Sequence, residues 1–386
     1  MSITPKSVNS FLVALHFVGG LYRADPAEPG SVGMTRSGQG RKFGRGTFAC
    51  RPGRMPDNKR RMRKILVTGG AGFIGSHVVD SLVRDGRWAV TVLDEFNDYY
   101  NPEIKRANIA PNLGSITLAE GDICDQDFVN GTFDEGQFDN VIHLAARAGV
   151  RPSRLQPELY LDTNIKGTFR LLEAARNHHV PRFTFASSSS VYGLNKKLPF
   201  SETDRIDQTI SPYAATKLAG EQLCSTYAHL YNMRLVCLRF FTVYGPRQRP
   251  DLAISKFTKH IHEGKPIDRY GDGSTSRDYT YVDDIVDGII AALDYDGPIF
   301  DIFNLGGSQT VTLSELIELV EHALGKKAII HEMEEQAGDL PRTYADIDKA
   351  RRLLGFEPGT PIREGVVKYV EWYLNTKAAR AETSPV

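Results

Sequence analysis

The chain has 386 residues, enough for more than one ordinary domain and a large buried core. Its 47 basic and 47 acidic residues cancel, so bulk electrostatics selects neither a nucleic-acid nor a membrane partner. Four cysteines, at 50, 124, 224 and 237, are too scattered along the chain for a zinc cluster or a local redox pair, and they read as reduced thiols of a cytoplasmic protein.

Residues 1–61 differ from the rest and are expected to form a disordered leader. The apolar stretch SFLVALHFVGGLY at 10–22 is too short to span a bilayer, and only Lys6 precedes it as a charge, which disfavours a signal peptide. Between Thr35 and Lys64 stand 11 Lys or Arg and one acid, interspersed with Gly and Pro. A flexible segment that buries nothing is the expectation, ahead of a nucleic-acid arm. Met62 opens MRKILVTGG, the natural first strand, so the folded chain is expected to start there.

From that point strands and helices alternate. Short β-branched runs at 65–68, 90–93, 116–118 and 141–144 read as strands, and helical spacing follows from Phe73 to Val83. Further helices are expected at 158–178 and 212–231, with strands at 183–186 and 235–240. Such alternation predicts an α/β fold of the Rossmann type, a doubly wound parallel sheet with helices on both faces. The loop- and Pro-richer sequence from 245 onward predicts a smaller C-terminal α/β domain for substrate. The expected division is 62–243 with a returning segment at about 281–308 for the dinucleotide domain, 244–280 with 309–375 for the substrate domain, and a tail at 376–386.

The first strand runs into TGGAGFIGSH, which sets Gly69, Gly72 and Gly75 in GxxGxxG spacing. Glycines there allow a tight turn, a close approach of backbone to a pyrophosphate, and close packing of helix on strand; the helix N-terminus then favours the anion. Asp94 closes the second strand, 19 residues past Gly75. Its carboxylate can accept hydrogen bonds from adenosine ribose hydroxyls and would repel a 2′-phosphate, so the expected cofactor is NAD.

SPYAATK supplies Tyr213 and Lys217. Ser211 can cap, Pro212 suits the first helical position, and the pair then lies at i, i+4 on one face. Tyr192/Lys196 and Tyr373/Lys377 share the YxxxK spacing, but the first lies in a Gly- and Pro-bounded loop and the second near the C-terminus. Only Tyr213 lies on a helix after the fifth strand, beside the run FASSSSVYG at 185–193. There the Lys217 ammonium and an oxidised nicotinamide can lower the phenol pKa until phenolate serves as a base. A hydroxyl 25 residues before Tyr213, at Ser188, can hold the substrate oxygen.

These segments, with GDI at 121–123, HLAA at 143–146 and RDYTYVDDIVDG at 277–288, resemble the extended short-chain dehydrogenase/reductase family and the nucleotide-sugar epimerases within it, over about residues 63–375. The resemblance implies that Ser188, Tyr213 and Lys217 are catalytic. It also implies that Phe73, Ile74, Asp122, Ile123, Leu144, Ala145 and Ala146 line the NAD site with the glycines and Asp94, and that Lys217 sits on the nicotinamide ribose. A homodimer made through the helices at about 158–178 and 212–231 is implied as well, and no metal.

On the substrate side, AGVRPS at 148–153 and RFFTVYGPRQRPDLA at 239–253 look like UDP-glucuronate 4-epimerases. In that group the residues matching Thr242 and Arg249, with the serines at 188–190, help bind the sugar carboxylate. Arg151 and Arg277 join Ser188, Ser189, Ser190, Thr242 and Arg249 as expected substrate ligands. Oxidation at C4 of UDP-glucuronate makes a β-keto acid, which loses carbon dioxide when its carboxylate turns perpendicular to the carbonyl plane. Related decarboxylases carry Glu at the position of Ser190, and related 4,6-dehydratases carry Asp-Glu at Ser189 and Ser190. Neither acid is present. The expected reaction is therefore epimerisation of UDP-glucuronate to UDP-galacturonate, with a neutral UDP-hexose or UDP-N-acetylhexosamine 4-epimerase as the alternative. A decarboxylase and a non-catalytic NAD-binding scaffold rank lower.

Overall fold

The computed structural model describes residues 62–334 and 340–383, with side chains through Thr376. The expected leader, 1–61, lies outside the described residues.

Seven parallel strands form the central sheet: β1 (Arg63–Thr68), β2 (Trp88–Asp94), β3 (Ile116–Glu120), β4 (Asn140–His143), β5 (Arg182–Ser188), β6 (Arg234–Phe240) and, arriving later in the chain, Phe300–Leu305. With β7 (Thr242–Tyr244), β8 (Pro266–Tyr270) and β9 (Ser276–Tyr281) coming before it, that last strand is β10; β11 (Thr310–Thr312) and β12 (Ile329–Met333) follow. The order across the sheet is β3-β2-β1-β4-β5-β6-β10. β1 pairs with both β2 and β4, Val67 facing Val92 on one side and Ile142 on the other. The winding therefore reverses at β1/β4, which leaves a crevice beyond the carboxyl ends of those strands.

Alternation of side chains builds a core on each face. Ile65, Val67, Val92 and Leu238 join one cluster with Val78, Val79 and Ile285 from helices, while Leu66, Val141, Phe183 and Leu235 join the other with Val129, Leu171 and Leu172. A third cluster belongs to the C-terminal elements. Ile254, Phe257 and Ile261 of the helix Ala253–His262 meet Leu316, Ile317 and Val320 of Leu313–Leu324, and Val366, Tyr369 and Val370 of Ile362–Thr383. Beside it β11, β9 and β7 form a three-stranded sheet, and β12 pairs with β8.

One expected helix is broken. The stretch 158–178 divides into Pro157–Leu161, a π turn at Asp162–Gly167 and the helix Thr168–Asn177. The wider turn sets Asn164 against the loop after β4, where its side chain accepts from Arg147 N (2.8 Å) and donates to Arg147 O (2.9 Å) and Thr216 Oγ1 (3.0 Å). That carboxamide ties the switch-point loop to the neighbouring helix, a use typical of π turns near functional sites.

Candidate active site

A solvent-open cleft with about 1060 Å³ of empty space lies along the carboxyl edge of the sheet, centred on the β1/β4 switch point. Its first wall is the turn after β1. Gly69 has φ +71°, and a Cβ there would stand 2.7 Å from Ala145 N; a Cβ on Gly75 would stand 2.1 Å from Gly69 O. The helix Phe73–Asp85 then begins without a side-chain cap and without an acid in its first turn, so its free N–H groups and positive dipole end are left for an anion. These features fit a dinucleotide diphosphate. Phe73, Ile74, Leu144, Ala145, Ala146, Asp122 and Ile123, which the resemblance assigns to the cofactor, also line the cleft.

Asp94 is at the expected place but carries more than expected. Oδ2 accepts from Ala71 N (3.2 Å), and Oδ1 accepts from Phe96 N (3.1 Å) and Lys105 Nζ (3.0 Å). Lys105 lies on the helix Pro102–Ile109, which Asn101 caps and Pro102 opens. Its ammonium offsets the negative charge on which the sequence argument against a 2′-phosphate rested. Three of the carboxylate's four lone-pair positions are already used.

The second wall is the helix Pro212–Tyr231, capped by Ser211 Oγ accepting from Ala214 N (3.1 Å), with Pro212 at its first position as read from the sequence. Tyr213 and Lys217 both line the cleft. Burial raises the Tyr213 phenol pKa; a hydrogen bond from Ser188 and the charge of Arg249 pull it back. Lys217 is not among the groups that lower it. Its Nζ donates instead to Ala186 O (2.7 Å), and burial brings its pKa down to about 8. The cation that acts on the phenol here is therefore Arg249, whereas the sequence pointed to Lys217 together with an oxidised nicotinamide.

The four serines divide the work. Ser190 donates to Ser188 Oγ from both its N–H (3.2 Å) and its Oγ (2.9 Å), which directs the Ser188 proton to the Tyr213 phenol. Ser187, which sequence reasoning left without a role, lines the cleft and donates to Glu221 Oε1 (2.5 Å). Ser188, Ser189 and Ser190 are not among the residues lining the cleft, and neither are Thr242, Arg151 and Arg277. Thr242 starts β7 opposite Tyr279, Arg151 stacks over the Tyr270 ring at 5.1 Å, and Arg277 Nη1 donates to Ser276 O (2.9 Å).

Arg249 does reach the cleft wall, its side chain 18% exposed. It is not an open fork: Asp251 accepts from Nε (2.9 Å) and Nη2 (2.8 Å), and the guanidinium lies 5.4 Å over the Tyr99 ring. Tyr99 itself donates to Ala148 O (2.7 Å), and Arg147 approaches the same ring at 5.9 Å while reaching Glu95 at 3.6 Å. Burial holds the Glu95 carboxyl above its ordinary range. Glu95, Tyr99, Tyr100, Lys105 and Arg147 all line the cleft and were missed in the sequence. The Asn101-Pro102 pair is a helix-start signal, yet nothing in the spacing shows which face that helix turns to Asp94.

Cys224 and Cys237, distant in sequence, meet in the core where the helix Pro212–Tyr231 packs on β6; both are free and fully buried. Among the described residues no group of three or more His, Cys, Asp or Glu is placed to hold a metal ion, and no helix is long and apolar enough to cross a membrane.

Residues 65–306 match the model of the NAD dependent epimerase/dehydratase family. The chain is 45% identical over 329 residues to UDP-glucuronate 4-epimerase 4 of Arabidopsis thaliana, spanning 81% of this chain and 75% of the plant protein. A Bacillus cereus UDP-glucuronic acid 4-epimerase, solved with UDP-glucuronic acid and NAD, is similar with a TM-score of 0.75 and 37% identity, over 81% of this chain and 99% of that one. A Thermotoga maritima UDP-glucose 4-epimerase, solved with UDP-glucose, gives 0.76 and 34% over the same shares. The family match runs from inside β1 to just past β10 and so takes in the whole central sheet with its switch-point cleft: this chain belongs to the NAD dependent epimerase/dehydratase family.

Proposed function

We propose that the protein is an isomerase that converts UDP-glucuronate to UDP-galacturonate by oxidation and re-reduction at C4. The observation that carries this reading is the cleft-lining Arg249, whose charge acts on the Tyr213 phenol. A guanidinium beside the reacting centre suits a sugar that brings a carboxylate. The similarity to the Arabidopsis and Bacillus enzymes supports the same substrate.

Bound NAD would accept a hydride from C4 and return it to the opposite face. Gly69, Gly72, Gly75 and the free helix N-terminus would hold its diphosphate, with Asp94, Asp122 and Ile123 near the adenosine. Tyr213 takes the C4 hydroxyl proton as phenolate and gives it back on the return. Ser188, fixed by two donors from Ser190, stabilises the phenolate and the C4 oxygen. Lys217 contributes a buried cation anchored to the end of β5 and would hold the cofactor ribose. Ser189, Ser190, Thr242, Arg151 and Arg277, none of which lines the cleft, are assigned to the substrate side on the family resemblance alone. A carboxylate surrounded by such donors is kept in the carbonyl plane, and without an acid at 189 or 190 neither elimination nor decarboxylation is assisted.

A second reading, a neutral UDP-hexose 4-epimerase, is favoured by Asp251, which already occupies two Arg249 nitrogens, and by the similarity to the Thermotoga enzyme. One assay decides between the two. Incubation with UDP-glucuronate and with UDP-glucose, products resolved by chromatography, should yield UDP-galacturonate from the first without UDP-pentose; faster turnover of UDP-glucose would overturn the glucuronate reading.

The same proposal makes the enzyme a cytoplasmic homodimer. Leu161 and Phe169 on one helical stretch and Leu230 and Tyr231 on the other are exposed apolar side chains, 43–60% accessible, on the two segments expected to pair with their symmetry mates. Light scattering at micromolar concentration should give twice the chain mass.

A further inference from the structure

We infer that the buried Glu221–Arg239 pair, with Ser187 as its third member, is a positioning device: it fixes the register between the tip of β5 and the helix Pro212–Tyr231, and through that register the mutual placement of Ser188, Tyr213 and Lys217. The inference rests on the reading of those three residues as the catalytic set.

Tyr213, Lys217 and Glu221 recur every fourth residue and so share one face of the helix. Each is tied to a different residue at the end of β5: Tyr213 to the Ser188 hydroxyl, Lys217 to the Ala186 carbonyl, Glu221 to the Ser187 hydroxyl. Only the third tie is reinforced from another strand. Arg239 of β6 donates to Glu221 from Nε and Nη2, both at 2.8 Å, and stacks 4.8 Å over the Tyr192 ring. Ser187, Glu221 and Arg239 are 3%, 1% and 3% exposed.

Stability alone is a poor reason for such a pair. Desolvating two ions commonly cancels what their attraction returns, and well-packed apolar replacements are often as stable or more so. What a bidentate pair supplies and apolar groups do not is a fixed direction. Here the direction joins β6, the helix and the residue next to Ser188, and a small shift of Ser188 against Tyr213 breaks the donor chain from Ser190. Glu221 is also the one carboxylate acting on the Lys217 ammonium. The other groups around that ammonium are Cys224 on its own helix, Cys237 on β6, the imidazole of His143 on β4, and the Phe185 ring with the Ala186 carbonyl on β5.

The test is the double variant Glu221→Met with Arg239→Met, which keeps volume and removes both charges together. It should unfold cooperatively at a Tm within a few degrees of wild type, because neither member of the pair is left buried without the other. With the UDP-sugar that wild type turns over, kcat should fall by roughly tenfold to a hundredfold, the scale of a misplaced catalytic group, while KM stays nearly constant. The alkaline limb of the kcat profile should move to lower pH, since Lys217 loses the carboxylate that favours its charged form. Ser187→Ala should show a weaker version of the same pattern, and Ser187→Thr should recover it. A substrate-free measurement separates this inference from the functional reading. Tyrosinate absorbance, taken as the difference from the same protein carrying Tyr213→Phe, should show Tyr213 ionising at higher pH in the double variant, towards its position in Ser188→Ala. Absence of turnover by wild type on any UDP-sugar would sink the functional reading and leave that titration to decide. An unmoved Tyr213 ionisation, or wild-type kcat with an unmoved pH limb, would make the pair merely structural and overturn the inference.

Discussion

The turn after β1 and the tip of β5 stand at the same carboxyl edge of one sheet, yet they are made by opposite means. At the first, function comes from atoms left out: Gly69 and Gly75 lack the Cβ atoms that would collide with Ala145 N and Gly69 O. At the second, function comes from groups added. Ser187, Ser188 and Ser190, Tyr213, Lys217, Glu221 and Arg239 make a connected set of hydrogen bonds and charges drawn from β5, β6 and a helix. The first site is steric, local and intolerant of any addition. The second is electrostatic, long-range and graded, so its members should differ in what their loss costs.

That contrast orders the expected effects. The largest is Gly75→Ala. A Cβ 2.1 Å from a backbone oxygen cannot be relieved by a side-chain rotation, so the turn itself must open. Overpacking typically costs about 1–3 kcal/mol and occasionally more, and a clash with backbone belongs at the upper end. Loss of tightly held NAD after gel filtration, with a lowered Tm, is expected; full cofactor retention would show that the turn is less rigid than its geometry implies. Next comes Tyr213→Phe, which removes one proton-transfer group and leaves the cradle alone. A fall in kcat of about 10²–10⁴ at unchanged NAD content is expected. If activity persisted above a tenth of wild type, another base would have to be sought.

Arg249→Ala probes the outermost part of the graded site. Removing a charge-assisted partner of a bound carboxylate costs on the order of 2 kcal/mol, roughly thirtyfold in binding. UDP-glucuronate should weaken by about that factor and UDP-glucose hardly at all, measured by calorimetry on the NAD-loaded enzyme. Equal losses would mean that Arg249 reads the diphosphate.

The two regions also differ in how far the sequence disclosed them. The glycine turn spans seven residues, so spacing alone located it, along with Asp94 at the end of β2 and the Ser211–Pro212 helix start that orients Tyr213 and Lys217. Each is a local device whose physics is complete within a few positions. Glu221 and Arg239 are separated by 18 residues and Lys105 and Asp94 by 11, and nothing in their spacing says that a helix and a strand will bring them together. Asp251 escaped notice for a different reason. Two residues from Arg249, it was close enough to see, but only the fold of the 245–251 loop turns it back onto the guanidinium. The π turn at Asp162–Gly167 is likewise invisible to periodicity, since its extra residue disturbs a helical pattern no more than ordinary sequence variation does.

A buried carboxylate that no arginine answers sharpens the comparison from the other side. Asp278 on β9 is fully buried, and among the described residues its carboxylate accepts from backbone N–H groups, those of Gly307 (2.6 Å), Ala345 (2.9 Å) and Ser308. Burial outweighs those bonds and pushes its pKa up to about 6, against an ordinary aspartate value of about 3.9. Between those two values the folded state binds more protons than the unfolded chain. Stability contributed by this group is therefore full below about pH 4 and is lost as pH rises through about 6, a change on the order of 3 kcal/mol. Asp278→Asn has no such titration, and every other group is common to both proteins. The Tm of the variant minus that of wild type should thus become more positive as pH is raised from 4 to 6 and then level off, read by calorimetry in a buffer series. A difference that stayed constant across that range would mean that the Gly307, Ala345 and Ser308 amides hold the carboxylate charged without an arginine.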